Sequence, residues 1–463
     1  MSQRGLRQMK TLPIERVRSL KTLGKAWSAV RKNARLSKTE ETRNEAARFE
    51  ADAIEHIGRI QRQLQSNSFK FLPALGKKIP KKNKTSFRPL VIAPLESRIV
   101  QRAVHDVLVA IPPIQKYVKT PHSFGGVRKN ADEKLAAVPA AIEAVLMAIG
   151  NGYVYVVRSD ISDFFTKIPK SKVTELICEV VHDDAFIKLF SEAIQVELAN
   201  LSHLRSSALA FPIEDIGVAQ GNSLSPLLGN MYLYDFDHQL NSDSNVRCLR
   251  YIDDFIILAS SRSAANEAFD KARKILASLG LSASDAKTFR GNANDGFEFL
   301  GIEIITGFLR PSADSRKRLM NNVESILSES EAGFNSLVAT KTLETRLGFI
   351  NTLKRVSSAM HGWGKHYWFC NDNKCLSHLD KDISRLLRQY FACYSKTRNR
   401  LSETEAWTQL GVEALGAMDR SLQFRWPPSA AKHDKLPGKA SHSVGAITTL
   451  ASKDDAGAND GNE

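Results

Sequence analysis

The stretch VRCLRYIDDFIILA, Val246–Ala259, decides the fold. Two apolar runs, Val246–Ile252 and Phe255–Ala259, are separated only by Asp253-Asp254. That is hairpin spacing. Two adjacent carboxylates are an expensive choice for a tip, because they repel each other and Asn-Gly turns the chain more easily. Both flanks read as buried strands, so the tip sits at the mouth of a core sheet. Anionic groups fixed there want a cation, and paired oxygen ligands suit Mg²⁺.

A second carboxylate site has the same character. Tyr153–Val157 is a β-branched and aromatic run after Asn151-Gly152, and it reads as a strand. Asp160 follows it, and Asp163 lies three residues later. An Asp at one strand end and an Asp pair on a neighbouring hairpin suit two divalent ions about 4 Å apart. Such a pair activates an attacking hydroxyl and stabilises the leaving oxygen in phosphoryl transfer.

Outward from these sites the chain alternates between helical and extended patterns. Residues 1–65 read as helical, with Leu20, Leu23, Trp27 and Val30, then Ile54, Ile57, Ile60 and Leu64, at helical spacing. Pro73, Pro80, Pro89 and Pro94, with basic clusters between them, predict short strands and loops. Residues 96–111 return to helix, ended by Pro112-Pro113. Helices are expected over 170–202, over 222–240 (opened by Asn222 or Ser223) and over 264–280, the last ended by Gly280. Residues 297–305, FEFLGIEII, read as a strand. From about 312 through Tyr394 the pattern is helical and basic, and 427–463 reads as a disordered tail.

Composition narrows the class. The 463 residues, 43% hydrophobic and 25% charged, suit a soluble protein of two to four folded units. No run of about 18 apolar residues predicts a membrane span, and MSQRGLRQMK lacks the apolar stretch of a secretory leader. Five scattered cysteines do not make a disulfide framework, so a reducing, cytoplasmic setting is expected. Cys370 and Cys375, near His361, His366 and His378, match no standard zinc-finger spacing. The net charge is +15 and uneven: residues 1–130 hold 28 Lys+Arg against 9 Asp+Glu. A basic N-terminal third on a near-neutral body points to a polyanion, most simply nucleic acid. Six of the 12 residues from Lys77 to Arg88 are cations.

The motifs resemble those of reverse transcriptases. Tyr251-Ile252-Asp253-Asp254 is similar to their Tyr-x-Asp-Asp box, and Asp160–Phe165 (DISDFF) to their first catalytic-aspartate motif. Gln220–Asn230 (QGNSLSPLLGN) resembles the Gln-Gly-x-x-x-Ser-Pro motif beneath the templating base. Phe297–Ile302 resembles the primer-grip hairpin, with Lys287 where the family often places a lysine before it. Phe87-Arg88-Pro89-Leu90 and Ser123-Phe124-Gly125-Gly126 look like fingers motifs of the group II intron and bacterial branches. The motifs stand in family order over roughly residues 69–305.

The resemblance implies an α+β right-hand polymerase: an N-terminal helical extension (1–65), fingers (66–150), a ferredoxin-like palm (151–310) and a helical thumb (311–426), before the tail (427–463). It implies Asp160, Asp253 and Asp254 as catalytic metal ligands, helped by the Ile161 carbonyl, with two Mg²⁺ ions, or Mn²⁺ in their place. It places Phe165 as the gate against a 2′-hydroxyl, Gln220 and Gly221 in the nucleotide pocket, Tyr251 at the primer end, and Arg88 with Lys81 or Lys82 over the triphosphate. Asp163 fits a structural cap as well as a site residue. The implied activity is RNA-directed DNA synthesis from dNTPs on a structured non-coding RNA template, in a stand-alone antiphage-defence enzyme of the group II intron/retron-like lineage. The alternatives are an intron-encoded reverse transcriptase/maturase and an RNA-binding factor with a vestigial polymerase site. Group II enzymes usually carry Ala at the position of Ile252, and intact carboxylates disfavour a vestigial site. Phe165 disfavours an RNA polymerase, which needs room for the 2′-hydroxyl. No membrane partner is expected, and the sequence does not specify an oligomeric state.

Overall fold

The computed structural model describes residues 11–37, 39–81, 86–126, 135, 137–413 and 415. It opens with helices Pro13–Val17, Leu20–Arg35, Glu40–Ala51 and Ala53–Gln65. Ser19 caps the second by accepting the Thr22 amide. The buried faces of these helices, through Ile14, Val17, Leu23, Trp27, Ile60 and Leu64, join the largest hydrophobic cluster of the molecule. The buried amide of Ile14 donates to the Asp183 carboxylate at 2.8 Å, which ties the first helix to the middle of the chain. The tail assigned to 427–463 lies outside the described residues.

Strands β1 (Leu75–Pro80) and β2 (Phe87–Ile92) pair antiparallel as an isolated ribbon. With only one strand neighbour each, they tolerate Pro80 and Pro89. Helix Leu95–Leu108 follows. Pro112 and Pro113 do more than end it. They open the next helix, Pro112–Val118, where a missing amide costs nothing.

The central sheet holds β3 (Tyr155–Asp160), β4 (Val246–Tyr251), β5 (Asp254–Ala259) and β6 (Phe289–Asn292) in the order β4-β5-β3-β6, all neighbours antiparallel. Helices lie between β3 and β4 and again between β5 and β6, which is the ferredoxin-like plan. Strand alternation sends Val157, Phe255 and Ile257 to the cluster with Phe236 and Phe269. The other face packs Val156, Ile256 and Leu258 with Val138, Ile142 and Val145 of helix Ala137–Gly150.

Two expected elements are interrupted. The helix expected over 222–240 begins at Ser225, and Leu233 divides it into Ser225–Tyr232 and Tyr234–Leu240. Asn222 does not open that helix; its side chain accepts the Leu224 amide and closes the preceding turn. The single strand read over 297–305 is a hairpin of β7 (Phe297–Phe299) and β8 (Ile302–Ile305), with β9 (Phe308–Pro311) beside β8. Leu300 and Gly301 both take positive φ, 51° and 77°, the corner of a type I′ turn. The apolar pattern runs through the corner and hides it.

Helices Ala313–Thr340, Phe349–His366 and Asn373–Arg398 then pack around Leu319, Val323, Phe334, Val356, Ile383 and Tyr390. No helix among the described residues is long and apolar enough to cross a membrane.

Candidate active site

Asp160 is the last residue of β3 and Asp254 the first of β5, and the two are direct register partners. Partners across an antiparallel pair share one face of the sheet. Asp253 occupies the turn. The turn residues are Ile252 and Asp253, one position earlier than the apolar spacing suggests. Two consecutive strand residues would point to opposite faces. Placing Asp253 at the corner removes that restriction. Carboxylate oxygens of Asp160, Asp253 and Asp254 all lie within 4.8 Å of one another.

The corner is strained. Ile252 takes φ 61°, a region that β-branched residues rarely enter. Its neighbours hold it there. The Ile161 amide donates to the Asp253 carbonyl at 2.9 Å, and Arg250 Nη1 donates to the Ile252 carbonyl at 2.9 Å. Gly125 lies so close that a Cβ on it would sit 2.5 Å from Ile252 Cγ1. The Ser-Phe-Gly-Gly segment is laced to β4, with Phe124 N–H donating to the Arg250 carbonyl and Arg250 N–H to that of His122.

The three carboxylates are short of compensating charge. Burial, then the Asp160 carboxylate, pushes Asp253 up. Burial, then Asp253 and Asp160, pushes Asp254 up to about 6. Lys287 Nζ donates to Asp160 Oδ2 at 2.7 Å and offsets part of the charge. A clustered set of hard oxygen donors with surplus negative charge fits divalent cations of the Mg²⁺ type. When bound, such ions would activate an attacking hydroxyl and stabilise the leaving oxygen in phosphoryl transfer.

The same electrostatics carries a stability cost. Asp254 ionises less readily in the fold, so the fold loses stability as pH rises from about 4 to about 6. Holding the carboxyl near 6 instead of 3.8 penalises the ionised fold by about 3 kcal/mol at most. Asp254→Asn should therefore raise the Tm by several degrees at pH 7.5 with EDTA present. The difference should vanish near pH 4. Equal melting of both proteins at pH 7.5 would show that Asp254 carries no such penalty.

The other sequence-chosen residues fall around this centre. Arg88 stands exposed on β2, and its charge favours ionised Asp253. Lys81, at the end of the ribbon, pairs with Asp163 at 3.2 Å. The Asp163 carbonyl accepts the Thr166 amide, and its side chain makes no cap bond but holds Lys81. Lys82 lies outside the described residues. Gln220 docks on β2, its carbonyl accepting the Val91 amide at 2.9 Å. Gly221 has φ 112°, and a Cβ there would meet the Val91 carbonyl oxygen at 2.7 Å. Phe165 is half-buried and lies against Gly229, 3.8 Å from where a Cβ would be. Tyr251 pairs with Asp254, and burial raises its hydroxyl. Ile161 is buried and takes part in the site through its amide.

Residues 79–304 match the family profile described as reverse transcriptase (RNA-dependent DNA polymerase). That stretch is a reverse transcriptase domain. Its fold is the right-hand polymerase fold built on a ferredoxin-like sheet. The chain is 26% identical over 281 residues to protein YkfC of Escherichia coli K12, covering 53% of this chain and 70% of that protein. It is 27% identical over 186 residues to a 91 kDa protein in the cob intron of Schizosaccharomyces pombe, covering 40% of this chain and 21% of that one. Among solved structures it is similar to apo telomerase from Candida tropicalis, at 14% identity and TM-score 0.36, covering 52% of this chain and 55% of that one. The chain thus spans about a fifth of the intron protein and about half of the telomerase chain.

Sequence reasoning passed over three residues of this site. Arg250, Asp237 and Asn230 are almost fully buried and bonded together beneath the Ile252-Asp253 corner. A signal was present. Arg250 shares the strand parity of Val246 and Cys248, which face the core. A cation on a core-facing position demands a buried partner.

Proposed function

We propose that this chain is an RNA-directed DNA polymerase that copies a structured non-coding RNA into DNA by two-metal nucleotidyl transfer, in antiphage defence. The observation that carries the polymerase reading is the convergence of Asp160, Asp253 and Asp254, faced by the cationic β1–β2 ribbon. On this reading residues 1–65 are the helical extension, 66–150 the fingers, 151–310 the palm and 311–426 the thumb. Asp160 and Asp253 hold Mg²⁺, with Asp254 assisting. Arg88 and Lys81 contact the triphosphate, and Tyr251 supports the primer end. Lys81 would exchange Asp163 for the triphosphate, since both offer anionic oxygen. Sequencing the nucleic acid that copurifies with the full chain, before and after adding dNTPs, tests the template. One enriched structured RNA, with complementary DNA appearing on dNTP addition, is expected. A random RNA population without complementary DNA would overturn the dedicated-template reading.

A second reading, an intron-encoded reverse transcriptase, is favoured by the similarity to the Schizosaccharomyces pombe intron protein. Intron sequence in the copurified RNA would select it.

Phe165 is proposed as the sugar gate. Its half-buried ring stands beside Gly229, on the helix that the Gln-Gly motif precedes. Phe165→Ala should raise ribonucleotide use relative to deoxyribonucleotide use by about tenfold or more, because a clash is removed and no attraction is lost. Competing rNTP and dNTP incorporation measures it. An unchanged ratio means that the ring only packs.

The RNA surface is proposed to include Lys21, Lys25 and Lys32, exposed along one face of helix Leu20–Arg35. Replacing all three with Gln leaves the buried side of that helix intact. The slope of log affinity against log salt should fall by about two, since each lost phosphate contact removes up to roughly 0.9. Filter binding of the copurified RNA over a salt series checks this, and an unchanged slope would move the RNA elsewhere.

A further inference from the structure

Beneath the catalytic corner lies a buried polar unit. Arg250 is 1% exposed, Asp237 1% and Asn230 3%. Arg250 Nε donates to Asp237 Oδ1 at 2.8 Å and Nη2 to Oδ2 at 2.5 Å, a two-pronged pair. Its remaining arm, Nη1, reaches Asn230 Oδ1 at 3.1 Å and the Ile252 carbonyl at 2.9 Å. Asn230 also donates to the Gly125 carbonyl at 3.0 Å and accepts from Ser123 Oγ at 3.1 Å.

We propose that Arg250, aimed by Asp237 and Asn230, is a positioning residue that sets the peptide between Ile252 and Asp253 and so places the Asp253 carboxylate. This rests on the polymerase reading of the site. Both carbonyls flanking Asp253 along the chain are held. Backbone alone holds one, through the Ile161 amide, and any side chain at 161 other than proline would allow that bond. The other is held by a side chain, Arg250. The peptide it grips follows a β-branched residue at φ 61°, a conformation that persists only when its surroundings impose it. Gly125 packs closely against Ile252 as well, and Asn230 bonds both to Gly125 and to Arg250. The corner is held at two points by one connected network.

Stability alone does not account for the network. A buried ion pair recovers little more than its desolvation cost, and apolar residues of similar volume often hold a fold as well or better. What apolar residues cannot supply is a donor aimed at the Ile252 carbonyl.

Two variants test this. Arg250→Lys keeps the charge but has no fork to span Asp237 and the Ile252 carbonyl together. Arg250→Met with Asp237→Leu removes both charges and keeps the volume. Single-turnover and steady-state primer extension, thermal melting, and Mn²⁺ binding followed by electron paramagnetic resonance are the measurements. Both variants should melt near the wild-type temperature. Both should extend at least about thirtyfold more slowly with the dNTP KM within about threefold, and both should bind Mn²⁺ more weakly. Wild-type extension rate and Mn²⁺ affinity in the double variant would overturn the proposal, leaving the network a packing device. So would a loss confined to the amplitude of the first turnover, which marks a smaller folded fraction and not a displaced carboxylate. If the wild-type chain itself makes no DNA, the polymerase reading fails, and the Mn²⁺ comparison still decides whether Arg250 places Asp253.

Discussion

Asp253→Asn should reduce DNA synthesis by at least about a thousandfold while leaving the fold and RNA binding in place. The reason lies in what Asp253 touches. Its carboxylate is one of three whose oxygens lie within 4.8 Å, and it sits at a corner where it packs no core. Replacing one oxygen with an amide nitrogen removes a ligand charge from a site suited to two cations, and two-metal phosphoryl transfer depends on that charge. The substitution also relieves repulsion among Asp160, Asp253 and Asp254, so the variant should melt no lower than the wild type in metal-free buffer. Primer extension with Mg²⁺ and dNTPs, beside a melting curve and a filter-binding assay, gives all three readouts. Near-normal extension would remove Asp253 from the catalytic set.

Gly125→Ala should cost about a hundredfold in extension rate, though Gly125 touches none of the three carboxylates. A Cβ at Gly125 would lie 2.5 Å from Ile252 Cγ1, 2.6 Å from the Ile252 backbone nitrogen and 2.8 Å from Ile252 Cδ1. A side-chain tip can rotate away. The backbone nitrogen cannot, so the corner itself has to shift. A displacement of about 1 Å at the reacting groups costs on the order of a hundredfold. The loss should appear in kcat, because the three atoms that a Cβ at Gly125 would meet all belong to Ile252, beside Asp253. Gly125→Ala with Ile252→Ala should recover part of the rate, since the side chain that collides is then short. Full activity in Gly125→Ala would show that the Ser-Phe-Gly-Gly segment yields in place of the corner.

Much of this was legible along the chain. The two short apolar runs, Val246–Ile252 and Phe255–Ala259, announce paired buried strands, because runs of that length on either side of a turn signal are too short for helices. The Asp residues stand out because a carboxylate beside a buried strand needs a cation. Helical spacing in 20–35 and 53–65 marks faces that must be covered. Other features were hidden because local pattern cannot express them. Leu300-Gly301 turns the chain inside an unbroken apolar run, and only the positive φ at both residues reveals it. The hairpin corner at Ile252 is one residue from where apolarity placed it, because apolarity does not register backbone handedness.

By itself, then, the sequence determined the mixture of helices and strands, the antiparallel hairpin, the three carboxylates and the basic N-terminal third. Each is written in local periodicity or in residue type, which a short window contains. Tertiary structure alone decided which residues serve the carboxylates. Helices 13–65 share a hydrophobic core with the sheet, and the Ile14 amide is bonded to the distant Asp183. Gly125, Asn230 and Asp237 meet Arg250 and Ile252 only after the chain has folded back on itself. Close packing makes that meeting specific, because a glycine or a guanidinium acts through the few ångströms around it, and sequence distance says nothing about which residues occupy them.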